Sequence, residues 1–187
     1  MIAVGSDHGG VELKDFLVEY LRSRGASVQD FGTQGKESVD YPDFGREVSL
    51  KVSRGEAERG VLICTSGIGM SILANKFPGV RAALVRDLDE ARISREHNNS
   101  NILVLSGAKT AKSAAGQILD TWLATAFAGG RHQRRVDKIA QVEHDWEFGS
   151  RNAQRTNKNI FFLQNRTKEG IHDVIFAADR PGSICGN

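Results

Sequence analysis

Alternation restricts this chain more than any other feature. Short β-rich apolar runs at Ile2–Val4, Ala26–Phe31, Gly60–Cys64, Arg81–Val85 and Asn101–Leu105 take turns with amphipathic segments. The helical candidates are Val11–Arg22, Phe44–Val52, Gly67–Phe77, Asp87–His97, Thr110–Phe127 and His132–Trp146. In the first of them, Val11, Leu13, Phe16, Leu17, Tyr20 and Leu21 largely follow the helix period. The acidic first turn of Asp87–His97 suits the positive end of a helix dipole. Strands alternating with helices build a mostly parallel sheet. The strand candidates are nearly continuous in apolar character, as expected when both faces are covered. The expected fold class is therefore α/β, Rossmann-like, with five strands.

That topology has a chemical corollary. Right-handed crossovers bring every strand-to-helix loop to one edge of the sheet. Ligands of open α/β sheets bind at that edge, near a switch in strand order. "GSDHGG", after the first strand, and "CTSGIGMS", after the third, should share one rim.

Composition removes several function classes. A net charge of +2 over 187 residues gives no reason to expect nucleic acid or a membrane surface as partner. No run approaches the roughly 20 apolar residues of a membrane span. The start "MIAVGSDHGG" has no basic n-region, so the expected location is the cytoplasm. Cys64 and Cys185 form neither a disulfide framework nor a zinc-ligand spacing, and no metal is expected. After about Glu147 the pattern changes to polar, turn-like sequence with isolated apolar patches. The expected division is a main domain over 1–147 and a tail of unknown role over 148–187.

The rim segments carry the chemistry. A helix N-terminus exposes unsatisfied N–H donors, and Gly67 and Gly69 let a ligand approach them closely. Such a loop suits a phosphate or a developing oxyanion, or is simply a tight turn. No GK[ST] follows it, and "GSDHGG" is not a GxGxxG fingerprint, so a nucleotide site is poorly supported. Cys64 ends a buried strand just before that helix, where a thiolate base or nucleophile is favoured, or a small core residue sits. Asp7 and His8 could shuttle protons and bind a sugar phosphate; Asp7 could equally cap the next helix. His97 and Asn98 end a helix, where a C-cap covers them as well. Arg131 and Arg135, four apart, share a helical face that is either a phosphate clamp or a solvated basic surface.

Five segments occur in order: "GSDHGG…LK", "DYPDFG", "GVLICTSGIGMSILANKFPGVRAAL", "SREHNNSNILVLSGA" and "GGRHQRRVDKI". Together they resemble the ribose-5-phosphate isomerase B family, which includes allose- and galactose-phosphate isomerases. The resemblance covers Met1 to about Glu143. It implies a three-layer α/β/α sandwich with strands one and three as neighbours. It implies a homodimer or homotetramer with shared sites, a phosphosugar substrate and no cofactor. Carried over to this chain, Cys64 moves the proton between C1 and C2, Ser66 assists proton traffic, and His97 opens the furanose ring. The backbone of Gly67, Ile68, Gly69, Met70 and Ser71 forms the anion hole. Asp7 and Tyr41 hold the sugar, Asn98 is an anion-hole or sugar-oxygen ligand, and His8, Arg131 and Arg135 hold the phosphate. Some relatives lack the cysteine and use a glutamate six residues later. Here that position is Met70, which takes no proton, so the base role falls to Cys64. Expected within this family are a pentose or hexose phosphate isomerase; a noncatalytic phosphosugar-binding module is the competing class.

Overall fold

In a computed structural model that describes residues 1–146, five strands form one parallel sheet. They are β1 (Ile2–Ser6), β2 (Val28–Asp30), β3 (Arg59–Cys64), β4 (Ala82–Leu84) and β5 (Ile102–Ser106). The helices between them are α1 (Val11–Ser23), α2 (Tyr41–Ser53), α3 (Ile68–Ala74), α4 (Leu88–Asn98) and α5 (Lys112–Ala124). A sixth, α6, runs over 131–146. Contacts divide the chain after Glu143. The expected tail, 148–187, lies outside the described residues, as does Cys185.

The strand order is β2-β1-β3-β5-β4. The chain steps from β1 outward to β2, then crosses back over β1 to β3 and continues the other way. β1 and β3 are therefore neighbours at the switch in direction, with Ile2 opposite Arg59 and Ser6 opposite Ile63. β3 pairs with β5 so that Cys64 faces Ser106 across the ladder.

Side-chain alternation along the strands produces the layers. Val4, Val61, Ile63, Leu103 and Leu105 point to one face and pack with Leu13 and Leu17 of α1, Ala91 of α4 and Ile118 and Trp122 of α5. Ala3, Leu62, Ile102 and Val104 point to the other face and meet Val48 and Val52 of α2 and Met70 and Ala74 of α3. Both faces of the central strands are buried, which is why these strands read as unbroken apolar runs. The result is the expected three-layer sandwich.

Element ends differ from the sequence expectation where side chains intervene. α2 begins at Tyr41 rather than Phe44, because extended Asp40 and Pro42 in the first turn start it. α3 stops at Ala74. Asn75 leaves the helix to bridge to β4: its Nδ2 donates to the carbonyls of Ser71 and Ala82, and its Oδ1 accepts from the Ala82 N–H, all at 2.9 Å. β2, expected over Ala26–Phe31, shortens to three residues at the sheet edge. α5 ends at Ala124, where Thr125 turns extended.

Candidate active site

The rim forms where β1 and β3 end side by side. Cys64 is the last residue of β3 and is 5% exposed. Its Sγ accepts the N–H of Gly67 at 3.1 Å, which turns the sulfur toward the loop that opens α3. Gly67 has φ +78°, and a Cβ there would fall 2.4 Å from Leu84 Cδ1. Only glycine adopts that turn at that distance without strain. Gly69 meets a different limit: a Cβ would lie 2.7 Å from the Tyr41 ring. Tyr41, at the start of α2, thus lies flush on the backbone of the α3 first turn.

The donors of this turn are unequally committed. The Gly67 N–H goes to Cys64 Sγ, that of Ile68 to Ser66 Oγ at 3.3 Å, and that of Ser71 to the Gly67 carbonyl at 3.0 Å. The N–H groups of Gly69 and Met70 have no hydrogen-bond partner among the described residues. They are the orphan donors that a helix start leaves unsatisfied. The Met70 side chain is fully buried in the α2–α3 layer, where its Sδ would lie 2.7 Å from a Cβ placed on Gly45. Met70 therefore offers the site its backbone alone. The Ser71 hydroxyl is spent on the Ile68 carbonyl at 2.9 Å.

Across the rim, Asp7 is 5% exposed and its Oδ1 is buried with no hydrogen-bond partner among the described residues. A buried carboxylate oxygen without a donor is costly, and a ligand hydroxyl satisfies it. His8, next in the chain, accepts the Val39 N–H on Nδ1 at 3.2 Å. The neutral ring then carries its proton on Nε2, leaving that nitrogen as donor. The loop holding Val39 is itself tied down. Thr33 N–H reaches the Ser6 carbonyl at 3.0 Å, and Gly32 N–H reaches Asp30 Oδ1 at 2.8 Å. Asp30 Oδ2 meets Lys14 Nζ at 2.6 Å, and Asp15 meets it at 2.9 Å. Lys14 is fully buried. Burial opposes its charge, but the hydrogen bonds and charges of Asp30 and Asp15 outweigh that and raise its pKa.

His97 and Asn98 lie elsewhere. α4 runs back along the sheet, and Asn98 ends it four residues before Ile102 opens β5. Cys64 faces Ser106 at the far end of β5. Four strand steps alone are about 13 Å, so these residues occupy the opposite sheet edge. Arg81 holds the α4 end by donating from Nε to the carbonyls of Asn98 at 3.1 Å and Asn99 at 3.0 Å. The N-terminal turn of α6 joins the same edge: Ala128 N–H donates to the Glu96 carbonyl at 3.0 Å, and His132 stacks on His97. Arg131 and Arg135 are exposed there. One chain thus unites Asp7, His8, Tyr41, Cys64 and Ser66–Ser71, and separates them from His97, Asn98, Arg131 and Arg135.

Three residues at these edges were not singled out from the sequence. Lys14 left a signal: with Leu17, Val18 and Leu21 it occupies the buried stripe of α1, where a lysine needs a partner. Arg81 and His132 left none beyond lying inside the quoted segments.

A doubly wound sandwich with a thiol, a glycine-opened helix start and a buried carboxylate at its switch point defines a class of small-ligand α/β proteins. The comparison with known proteins is sharper. A family model described as Ribose/Galactose Isomerase matches residues 2–139, and the chain belongs to that family. Ribose-5-phosphate isomerase B of Escherichia coli (strain K12) is 43% identical over 142 residues, covering 76% of this chain and 95% of that protein. The Clostridium thermocellum ribose-5-phosphate isomerase B structure is 51% identical with a TM-score of 0.76, covering 78% of this chain and 98% of that one. The Mycoplasma genitalium enzyme, solved with bound ribulose-5-phosphate, is 41% identical with a TM-score of 0.74, covering 76% and 95%. Among the described residues, no helix is long and apolar enough to cross a membrane.

Proposed function

We propose that this chain is an aldose–ketose isomerase that interconverts ribose 5-phosphate and ribulose 5-phosphate through an enediolate, a step of the pentose phosphate pathway. One observation carries the reading: Cys64 Sγ is held at the lip of a glycine turn whose Gly69 and Met70 N–H groups are unspent.

In the open-chain aldose, the Cys64 thiolate takes the proton from C2. The electron pair moves into a C1–C2 double bond, and O1 becomes an oxyanion beside the Gly69 and Met70 N–H groups. Each such aligned donor lowers the barrier by about 3–4 kcal/mol. Ser66 relays a proton from O2 to O1, and the Cys64 thiol returns its proton to C1, giving the ketose. Asp7 accepts a sugar hydroxyl on its unpartnered Oδ1. His8 donates from Nε2 to the phosphate, and Tyr41 closes over the sugar.

Ring opening by His97, a sugar-oxygen or anion-hole contact by Asn98 and the part of the phosphate clamp made by Arg131 and Arg135 all depend on residues at the opposite edge. A second copy of the chain brings them to the rim, so the working unit is a homodimer or a higher assembly with shared sites. The exposed apolar side chains Ile68, Ile72 and Leu88 beside edge strand β4 are consistent with such pairing.

The test is isomerisation of ribose 5-phosphate, allose 6-phosphate and galactose 6-phosphate by the parent chain and by Cys64→Ser. Turnover of ribose 5-phosphate that Cys64→Ser abolishes is expected. Binding of all three without turnover would make the protein a phosphosugar-binding module instead.

A further inference from the structure

The imidazoles of His97 and His132 lie face to face, with ring centroids 4.2 Å apart and planes within 3° of parallel. His97 is in the last turn of α4, and His132 is in the first turn of α6, 8% exposed. The turn that leads into α6 sets up this contact. Gly129 and Gly130 take φ of +65° and +54°, and the His132 N–H donates to the Gly129 carbonyl at 3.0 Å. The Ala128 bond to Glu96 sets this turn against α4. Arg131 Nε donates to His132 Nε2 at 3.4 Å, so the neutral ring carries its proton on Nδ1. Burial lowers the His132 pKa, and the charges of His97, Arg131 and Arg135 add to that against Glu96.

Ring opening of a furanose breaks the C1–O4 bond while one proton leaves O1 and one arrives at O4. A histidine that ferries that proton needs its ring plane fixed, because a misplacement of about 1 Å costs about 100-fold in rate. An unsupported histidine at a helix end samples several rotamers. We propose that His132 is a positioning residue for ring opening: its flat, neutral face fixes the plane of the His97 imidazole and supports that ring while it carries the transferred proton. Attraction of a cation to an aromatic face provides the support. This deepens the reading of His97 given above and rests on it.

Two substitutions of similar bulk separate platform from filler. His132→Phe keeps a flat face and His132→Leu removes it. In His132→Leu, kcat/KM for ribose 5-phosphate is expected to fall about tenfold or more, and His132→Phe should recover most of the loss. In a His97→Asn background the two should be equal. The His97 ring-proton resonances should move in His132→Leu and return toward their parent position in His132→Phe, which supplies the aromatic ring current again. Equal activities for Phe and Leu in the parent background would overturn the proposal, as would a Phe–Leu difference that survives His97→Asn. If His97→Asn alone keeps full turnover, the ring-opening role of His97 falls first and this inference with it. Should His132→Leu fail to fold, His132→Met supplies the same contrast.

Discussion

The two edges of the sheet solve different problems. At the C-terminal rim the site is built from backbone: a glycine turn, the unspent N–H groups of Gly69 and Met70, and a thiol that accepts the Gly67 N–H. Of its side chains, Cys64, Asp7 and Met70 are buried, while Ser66, Ile68 and Tyr41 are exposed. At the opposite edge the equipment is side chain: an imidazole stack, an arginine on two carbonyls, and two exposed guanidinium groups. At the rim, Gly67 and Gly69 leave no room for a side chain. The other edge presents Arg131 and Arg135 outward, and on the proposed reading their targets lie on another copy.

Cys64→Ala breaks the first edge outright: kcat should fall about 10³-fold or more, as expected for loss of a positioned base. The comparison sharpens when that chain is mixed with His97→Asn. Shared sites restore about a quarter of the activity after subunit exchange, because half the dimers are mixed and each holds one intact site. Mixtures as inactive as their components would confine each site to one chain. Gly69→Ala comes next. The new methyl displaces the Tyr41 ring and shifts the donors, and kcat should drop about 10- to 100-fold with the fold intact by circular dichroism. Arg135→Ala, at the exposed edge, should leave kcat nearly unchanged and raise KM about tenfold. Unchanged KM would make it a solvated surface residue.

The smallest effect on turnover is expected at Lys14, and it is read in stability. Its folded pKa is raised. The stabilisation it contributes is therefore fully present below its ordinary unfolded value of about 10.5 and is lost as pH climbs through the folded value. Lys14→Met leaves Asp30 with its buried partner removed, and should melt about 5 °C or more lower at neutral pH. It should also show a flatter loss of stability above pH 10 than the parent. Parallel alkaline curves would show that Lys14 is not the group responsible.

The fold was legible because both helix layers leave their mark on the strands. Leu62 and Ile63 point to opposite faces yet are both apolar, and that doubling distinguishes a covered parallel sheet from a half-exposed one. The rim was legible because loops that follow parallel strands must converge. Helix ends were less so. Asn75 reads as one more helical residue until its side chain is seen to bridge α3 to β4. The separation of His97 from Cys64 follows from chain direction, since a helix returning between parallel strands ends where the next strand begins. The His97–His132 stack was invisible. It depends on the angle at which the Gly129–Gly130 turn launches α6, and neither spacing nor composition encodes that angle.

The packing of Met70 bears on whether a glutamate at that position could take over the base role proposed for Cys64. In this chain the side chain at that position points into the α2–α3 layer, against Gly45. A carboxylate installed there would be trapped among hydrocarbon with nothing to receive its protons. If Cys64 is the base proposed above, replacing its sulfur by a carboxylate at position 70 takes more than one substitution. It first requires the α3 turn to be reseated on α2, so that a side chain once serving as ballast can swing out to the substrate.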